Sequence, residues 1–260
     1  MIVAIGEAFV DTHGFGGCGW DTVVASATAG SSSAFISPIS ADMSGRAMVE
    51  ELVERQILFD PDLCGNEAPS MTQETVDGTA PMHVDAAKLL SALRVNSDIR
   101  LIHIGSVTMQ RKNPSETILS VLDRYEPRPV IALEPMIRAA EVKNRQETVR
   151  CLSEAMSRSD ILIAQDADLS FLGMGWEEIQ RKYGLHVVVN GIWHGRGGIR
   201  VCSAMPRDFR VYAGTLLSGM HEAGLFGHDG RKPSFCWNSE VVATAMGRAA
   251  EAVHAERNEA

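Results

Sequence analysis

The chain contains no cysteine pairing motif. Its five cysteines, Cys18, Cys64, Cys151, Cys202 and Cys236, are odd in number and widely spaced, with no CxxC among them. That spacing argues for neither a disulfide framework nor a zinc site, and it makes a reducing cytoplasm the expected compartment. There is no excess of positive charge either. Lys and Arg number 24 against 33 Asp and Glu, a formal net charge of −9. An acidic balance argues against nucleic acid or an anionic membrane as a main partner. ATP stays compatible, because phosphates are read locally by backbone N–H groups and one or two cations. No apolar run approaches the ~20 residues needed to span a bilayer. The apolar start, Met1 to Val10, lacks a basic region and carries Glu7, so it reads as a buried strand and not as a signal peptide. No internal repeat is visible.

What the chain does have is material for one sizeable core: 260 residues with 45% hydrophobic content. The expectation is a single domain over residues 1–260. Short apolar runs alternate with longer amphipathic ones. The runs at 1–5, 33–39, 100–104, 129–133, 160–164, 186–189 and 199–201 predict strands. The stretches at 21–29, 47–55, 115–125, 146–158, 176–183, 215–222 and 241–254 predict helices, with a further short one near Leu169. Near-continuous apolar strands alternating with helices imply an α/β fold, a mostly parallel sheet covered on both faces. Such sheets place ligands at the carboxyl ends of their strands. The segment 58–84 fits the alternation poorly, with Pro61, Gly65, Pro69, Gly78 and Pro81. It reads as a small flap around 60–84, in which Met71–Val76 is a candidate strand and Asp77-Gly78 a hairpin signal.

Several stretches in order resemble the pfkB family of ribokinase-like carbohydrate kinases. Gly6-Glu7-Ala8-Phe9-Val10-Asp11 is similar to the family's opening "GEALID". Gly16-Gly17 through Asp21, Ala25 and Gly30 resembles "GGxxxN…A…G". Asp42-Met43-Ser44-Gly45 resembles "DxxG", and Glu134 to Arg138 resembles "DPNxR". Gln165 to Asp168 resembles "NxxE", Asn190-Gly191 with Gly195 resembles "TxGxxG", and Asp208 to Gly219 resembles "DTTGAGDxFxxG". The resemblance implies a ribokinase-like three-layer sandwich. With only four residues between Asp11 and Gly16, it also implies a reduced lid. The implied reaction is phosphoryl transfer from ATP to a sugar hydroxyl, assisted by Mg2+, with a small polyhydroxylated substrate. A homodimer is one assembly compatible with this, although a short lid weakens the lid-mediated form.

The same resemblance marks a departure. The family's catalytic base falls on Gly214, and Val211 stands at the first glycine of "GAGD". Glycine has no side chain to accept a proton, and loss of a positioned base costs about 10²–10⁴ in rate. A distorted anion hole adds about 10²–10³. The alternative is therefore a non-catalytic sugar- or nucleotide-binding regulatory protein on the kinase fold. The resemblance assigns Asp11, Gly16, Gly17, Asp21 and Arg138 to the substrate. It assigns Gln165, Asp168, Asn190, Gly191 and Ala213 to the nucleotide, Asp168 indirectly to magnesium and Asp208 to a monovalent cation. Bland readings stand beside these. Asp21 is also a helix cap, Gly16 and Gly17 a tight loop, Arg138 half of an ion pair. Gln165 and Asp168 are also an exposed helix start, and Gly191–Gly198 a hairpin turn between Val189 and Ile199. His103, inside an apolar strand, reads as a satisfied core histidine. Trp20 is a candidate platform for a sugar ring. Asp11, Asp21, Asp208 and His221 are the candidates to replace the missing base.

Overall fold

The computed structural model describes residues 1–11, 14–65, 85–95, 98–195, 200–202, 211–229, 232–235 and 239–259. In chain order the first half runs β1 (Ile2–Ile5), β2 (Phe9–Asp11), β3 (Gly14–Gly16), α1 (Cys18–Thr28), β4 (Ser33–Ile36), β5 (Ile39–Ser40), α2 (Met43–Glu54), β6 (Leu58–Phe59), β7 (Cys64–Gly65), α3 (Ala86–Val95), β8 (Leu101–Gly105), α4 (Ser106–Gln110) and α5 (Lys112–Leu122). It continues through β9 (Val130–Glu134), α6 (Arg145–Met156), β10 (Ile161–Ala164), α7 (Asp166–Leu172), α8 (Trp176–Tyr183), β11 (His186–Val189), β12 (Ile192–His194), β13 (Arg200–Cys202), α9 (Tyr212–Glu222), β14 (Phe226–Asp229), β15 (Lys232–Phe235) and α10 (Ser239–Glu259).

One nine-stranded sheet runs β13-β12-β11-β10-β9-β8-β1-β4-β6. Pairing from β11 to β6 is parallel, and β11-β12-β13 is antiparallel. Successive side chains alternate between the two faces, so each central strand must be apolar on both. One face sets Val3, Ile5, Ile102, Ile104, Ile131 and Leu133 against Leu93, Ile118, Leu152 and Ile179. The other sets Ile2, Leu101, Val130, Ile161 and Val188 against Tyr212, Leu216, Met220, Val242 and Met246. This second face carries α9, α10 and, over Ala4 and Phe35, helix α1 with Trp20 and Val23. The result is the three-layer, mostly parallel α/β sandwich that the sequence predicts.

Two local expectations are corrected, the cap of α1 and the single glycine-rich turn. Helix α1 begins at Cys18, so Asp21 lies within its first turn and does not cap it; Gly17 holds the cap position with φ 122°. At the start of the segment 58–84, β6 joins the main sheet and β7 pairs with β5. The rest of that segment, including Met71–Val76 and Asp77-Gly78, lies outside the described residues. The glycine-rich stretch after Val189 is not one turn. Asn190 and Gly191, at φ 47° and 76°, close a two-residue hairpin into β12, which then pairs with β13. The "DxxG" motif has a structural reason: Asp42 caps α2 by accepting from the Gly45 N–H at 2.9 Å. A Cβ on Gly45 would meet the Ser40 carbonyl oxygen at 1.8 Å.

Candidate functional site

The carboxyl edge of the sheet gathers most of the residues singled out from the sequence. The loops there are conformationally costly. Ser106, Met136 and Asn190, which follow β8, β9 and β11, have φ of 50°, 44° and 47°. A side chain in the left-handed region is uncommon and clusters where function over-determines the backbone.

Beneath this edge, between the sheet and the first turn of α1, lies a buried polar cluster. Parallel register puts Gly105 opposite Glu134, and His103 shares its face of β8 with Gly105. The His103 Nε2 is 3.1 Å from Glu134 Oε2, and the Cys18 thiol donates to the same oxygen at 3.4 Å. Beside them Thr108 donates to Glu7 Oε2 at 2.8 Å. All five residues are buried. Gly105 is what makes room. A Cβ there would meet the Glu134 carbonyl oxygen at 2.2 Å and the Cys18 sulfur at 3.0 Å. Burial, then the charges of Glu134 and Glu7, push the Cys18 thiol well above its usual range, so it is held as the neutral thiol. His103 is only half satisfied: its Nδ1 has no partner. Sequence reading missed this cluster. Its signal was a histidine and a glutamate in apolar strands, on the same face as Leu101, Val130 and Ala132 of the core.

The structure places the expected site residues that lie among the described ones. Gly17 does approach a backbone closely, but its own: a Cβ would sit 2.5 Å from the Glu7 carbonyl oxygen. Gly16 ends the β2–β3 hairpin, paired with Phe9, and Asp11 pairs with Gly14. Asp21 is half-buried in the first turn of α1, where an acid is favoured. Trp20 is buried, edge-on to Phe15 at 5.3 Å and Phe35 at 5.9 Å, and is core instead of a sugar platform. Asp168 is not part of an exposed helix start. It is 3% exposed, and its carboxylate accepts from the Ile137 N–H at 2.7 Å and the Gln165 N–H at 2.8 Å. It thereby ties the loop after β9 to the start of α7. Burial raises its pKa, opposed by those two backbone bonds. With each oxygen holding a backbone N–H, Asp168 acts as a clamp between the two segments. Asn190 donates to Asp166 at 2.6 Å, which fixes the Asn190-Gly191 turn to α7.

The "GAGD" register falls on the start of α9. Val211 has φ −92°, an ordinary conformation for valine, so no left-handed glycine position is being strained. Ala213 is buried against the sheet. Gly214 sits in the crossing of α1 and α9. A Cβ there would lie 2.4 Å from the Thr22 carbonyl oxygen and 2.7 Å from the Ala25 Cβ. Ser26 also donates to the Gly214 carbonyl at 3.2 Å. Asp208 lies outside the described residues. His221, a candidate substitute base, is 3.2 Å from the amino group of Met1, at the opposite edge of the sheet, and is removed from that role.

Arg138 opens onto a cavity of about 570 Å³ beside α4 and α5, whose lining includes Gln110, Arg111, Lys112 and Lys143. Its guanidinium lies 3.6 Å from Glu141. Four cationic side chains and the carboxylates Glu141 and Glu147 line it. No helix among the described residues is long and apolar enough to cross a membrane.

No protein-family model matches this chain. A fructokinase of Rhizobium leguminosarum bv. trifolii is 26% identical over 200 residues, 67% of this chain and 60% of that protein's length. The matched region thus spans well under two thirds of that curated relative. Among solved structures, the Vibrio cholerae O395 fructokinase with fructose, ADP and calcium superposes with a TM-score of 0.72 at 16% identity, over 97% of this chain and 91% of that one. The aminoimidazole riboside kinase of Salmonella enterica, with aminoimidazole riboside and an ATP analogue, gives 0.68 at 15% identity, over 97% and 92%. The chain therefore carries the ribokinase-like fold of the pfkB-type carbohydrate kinases that its sequence resembles.

Proposed function

We propose that this chain is a carbohydrate-kinase-type protein that binds a small polyhydroxylated ligand and Mg·ATP at the carboxyl edge of its sheet, and that it transfers phosphate weakly or not at all. The observation that carries this reading is Gly214. Phosphoryl transfer needs positioning, charge stabilisation and removal of the hydroxyl proton. At the position the resemblance assigns to the base there is no side chain, and the α1 backbone leaves no space for one. Relatives that hold fructose with ADP, or a riboside with an ATP analogue, support the ligand classes. The first turn of α9, from Tyr212, supplies backbone N–H groups without intrahelical partners, the ordinary means of holding an anion. Arg138 is the cation assigned to the substrate side. Asn190 and Gly191 shape the edge on the nucleotide side.

The test is calorimetric titration with Mg·ATP or a non-hydrolysable analogue, followed by a panel of hexoses and ribosides, and a coupled assay for ADP release. Saturable binding of nucleotide and of one sugar, with turnover at least about 10²-fold below an ordinary sugar kinase, is the expected result. No nucleotide binding at several millimolar would sink ATP-dependent transfer and favour the regulatory sugar-binding reading. Ordinary kinase turnover would sink the loss of the base.

A further inference from the structure

We propose that Cys18, His103 and Glu134 form a binding site for a thiophilic divalent transition metal of the zinc class, distinct from the magnesium that accompanies a nucleotide. Their donor atoms all lie within 4.8 Å of one another, and they are the one such group of three among the described residues. The ligands come from three elements: the first residue of α1, the middle of β8 and the end of β9. That is why no CxxC-type spacing announces them.

The geometry suits a four-coordinate ion. A tetrahedral site with metal–sulfur and metal–nitrogen or –oxygen distances of about 2.3 Å and 2.0–2.2 Å has ligand–ligand edges of roughly 3.2–3.6 Å. The sulfur–oxygen and nitrogen–oxygen separations are 3.4 Å and 3.1 Å. Both edges are close to those of a tetrahedral site, and the sulfur–nitrogen edge lies within 4.8 Å. The chemistry of the donor set is selective. A thiolate with an imidazole favours zinc, copper or cobalt, whereas magnesium and calcium prefer all-oxygen shells.

Electrostatics favour the same reading. Glu7, Glu134 and Asp168 are all at least nine-tenths buried at this end of the sheet, with His103 the one buried group there, among the described residues, able to carry positive charge. Binding a dication expels the thiol proton to solvent and leaves a thiolate, a carboxylate and a neutral imidazole around it, an electroneutral set. The imidazole's single proton then resides on Nδ1, which at present makes no hydrogen bond and so loses none. A water completes the shell. Because His103 Nδ1 lacks an outer acceptor, the affinity is expected to fall about 10–100-fold below that of a fully supported zinc site.

Cobalt(II) and zinc(II), added to the metal-free full-length chain in the absence of nucleotide, are the probes. One cobalt per chain, with a sulfur-to-cobalt charge-transfer band and the strong visible absorption of tetrahedral cobalt, is expected. Zinc should displace it, magnesium should not, and one proton should be released per ion. Cys18→Ser should abolish the charge-transfer band, and His103→Gln should weaken binding, with circular dichroism confirming the fold. Absence of the thiolate band in the wild-type chain at saturating cobalt would overturn the proposal without recourse to a variant. So would a band that survives Cys18→Ser. Both readouts are independent of sugar or nucleotide binding, so failure of the kinase reading leaves this result standing.

Discussion

Gly214 shows how a single missing side chain acts twice, on chemistry and on packing. Restoring an aspartate looks like a simple repair until the α1–α9 crossing is considered, where the nearest atom to a new Cβ is a backbone oxygen. Overpacking of a close contact costs about 1–3 kcal/mol. Gly214→Ala should therefore lower the unfolding free energy by that margin, read from urea denaturation. Gly214→Asp should be worse, because it adds a carboxylate to a buried crossing, and it should not raise phosphate transfer; increased turnover with unchanged stability would refute this account. The His103–Glu134 pair gives a second test at this scale. His103→Leu removes one of the two hydrogen-bond partners of the buried Glu134 carboxylate, at about 1–3 kcal/mol. Replacing both, as His103→Leu with Glu134→Met, should cost less than the single change, measured by urea unfolding with chelator present.

At the scale of elements, the edge is held by side chains that link one loop to the next. Asp168 joins the loop after β9 to α7, and Asn190 joins the β11–β12 turn to Asp166 on the same helix. Asp168→Ala should cost about 1–3 kcal/mol, since it strands two peptide N–H donors. Asp168→Asn, which keeps one acceptor oxygen, should cost less. Hydrogen exchange at Ile137 and Gln165 would report the change directly, and equal protection in the alanine variant would count against the clamp. The strands and most helices were legible at this scale because their apolar periodicity follows from burying one or both faces. The boundaries were less so. Helix α1 starts three residues early because Gly17 turns the chain tightly over Glu7, a contact between segments that periodicity does not register.

For the whole molecule, the opposite edge of the sheet sets a pH dependence. Burial, and then the neighbouring ammonium of Met1, lowers the pKa of His221 from 6.5 to about 4. The folded state thus prefers the neutral ring, and the unfolded state takes up the proton first. Stability from this group is complete above pH 6.5, falls as pH drops from 6.5 toward 4, and is lost below. His221→Gln should flatten the melting temperature against pH across that window; an unchanged slope would show that other groups govern it.

The sequence by itself determined the α/β class, the mostly parallel sheet with helices on both faces, and the sheet edge where the loops expected to hold a site gather. Those features follow from one-dimensional patterns: apolar strands, helical spacing and glycine-bearing turns in a recognisable order. Only the tertiary structure decided which residues share that edge and what they do there. It turned Trp20 into core, Asp168 into a clamp and His221 into a partner of the amino terminus. It also brought Cys18 to His103 and Glu134 across 85 and 116 residues of chain. Contacts of that separation depend on strand register and on the distance of a helix from the sheet, and neither is written in local sequence.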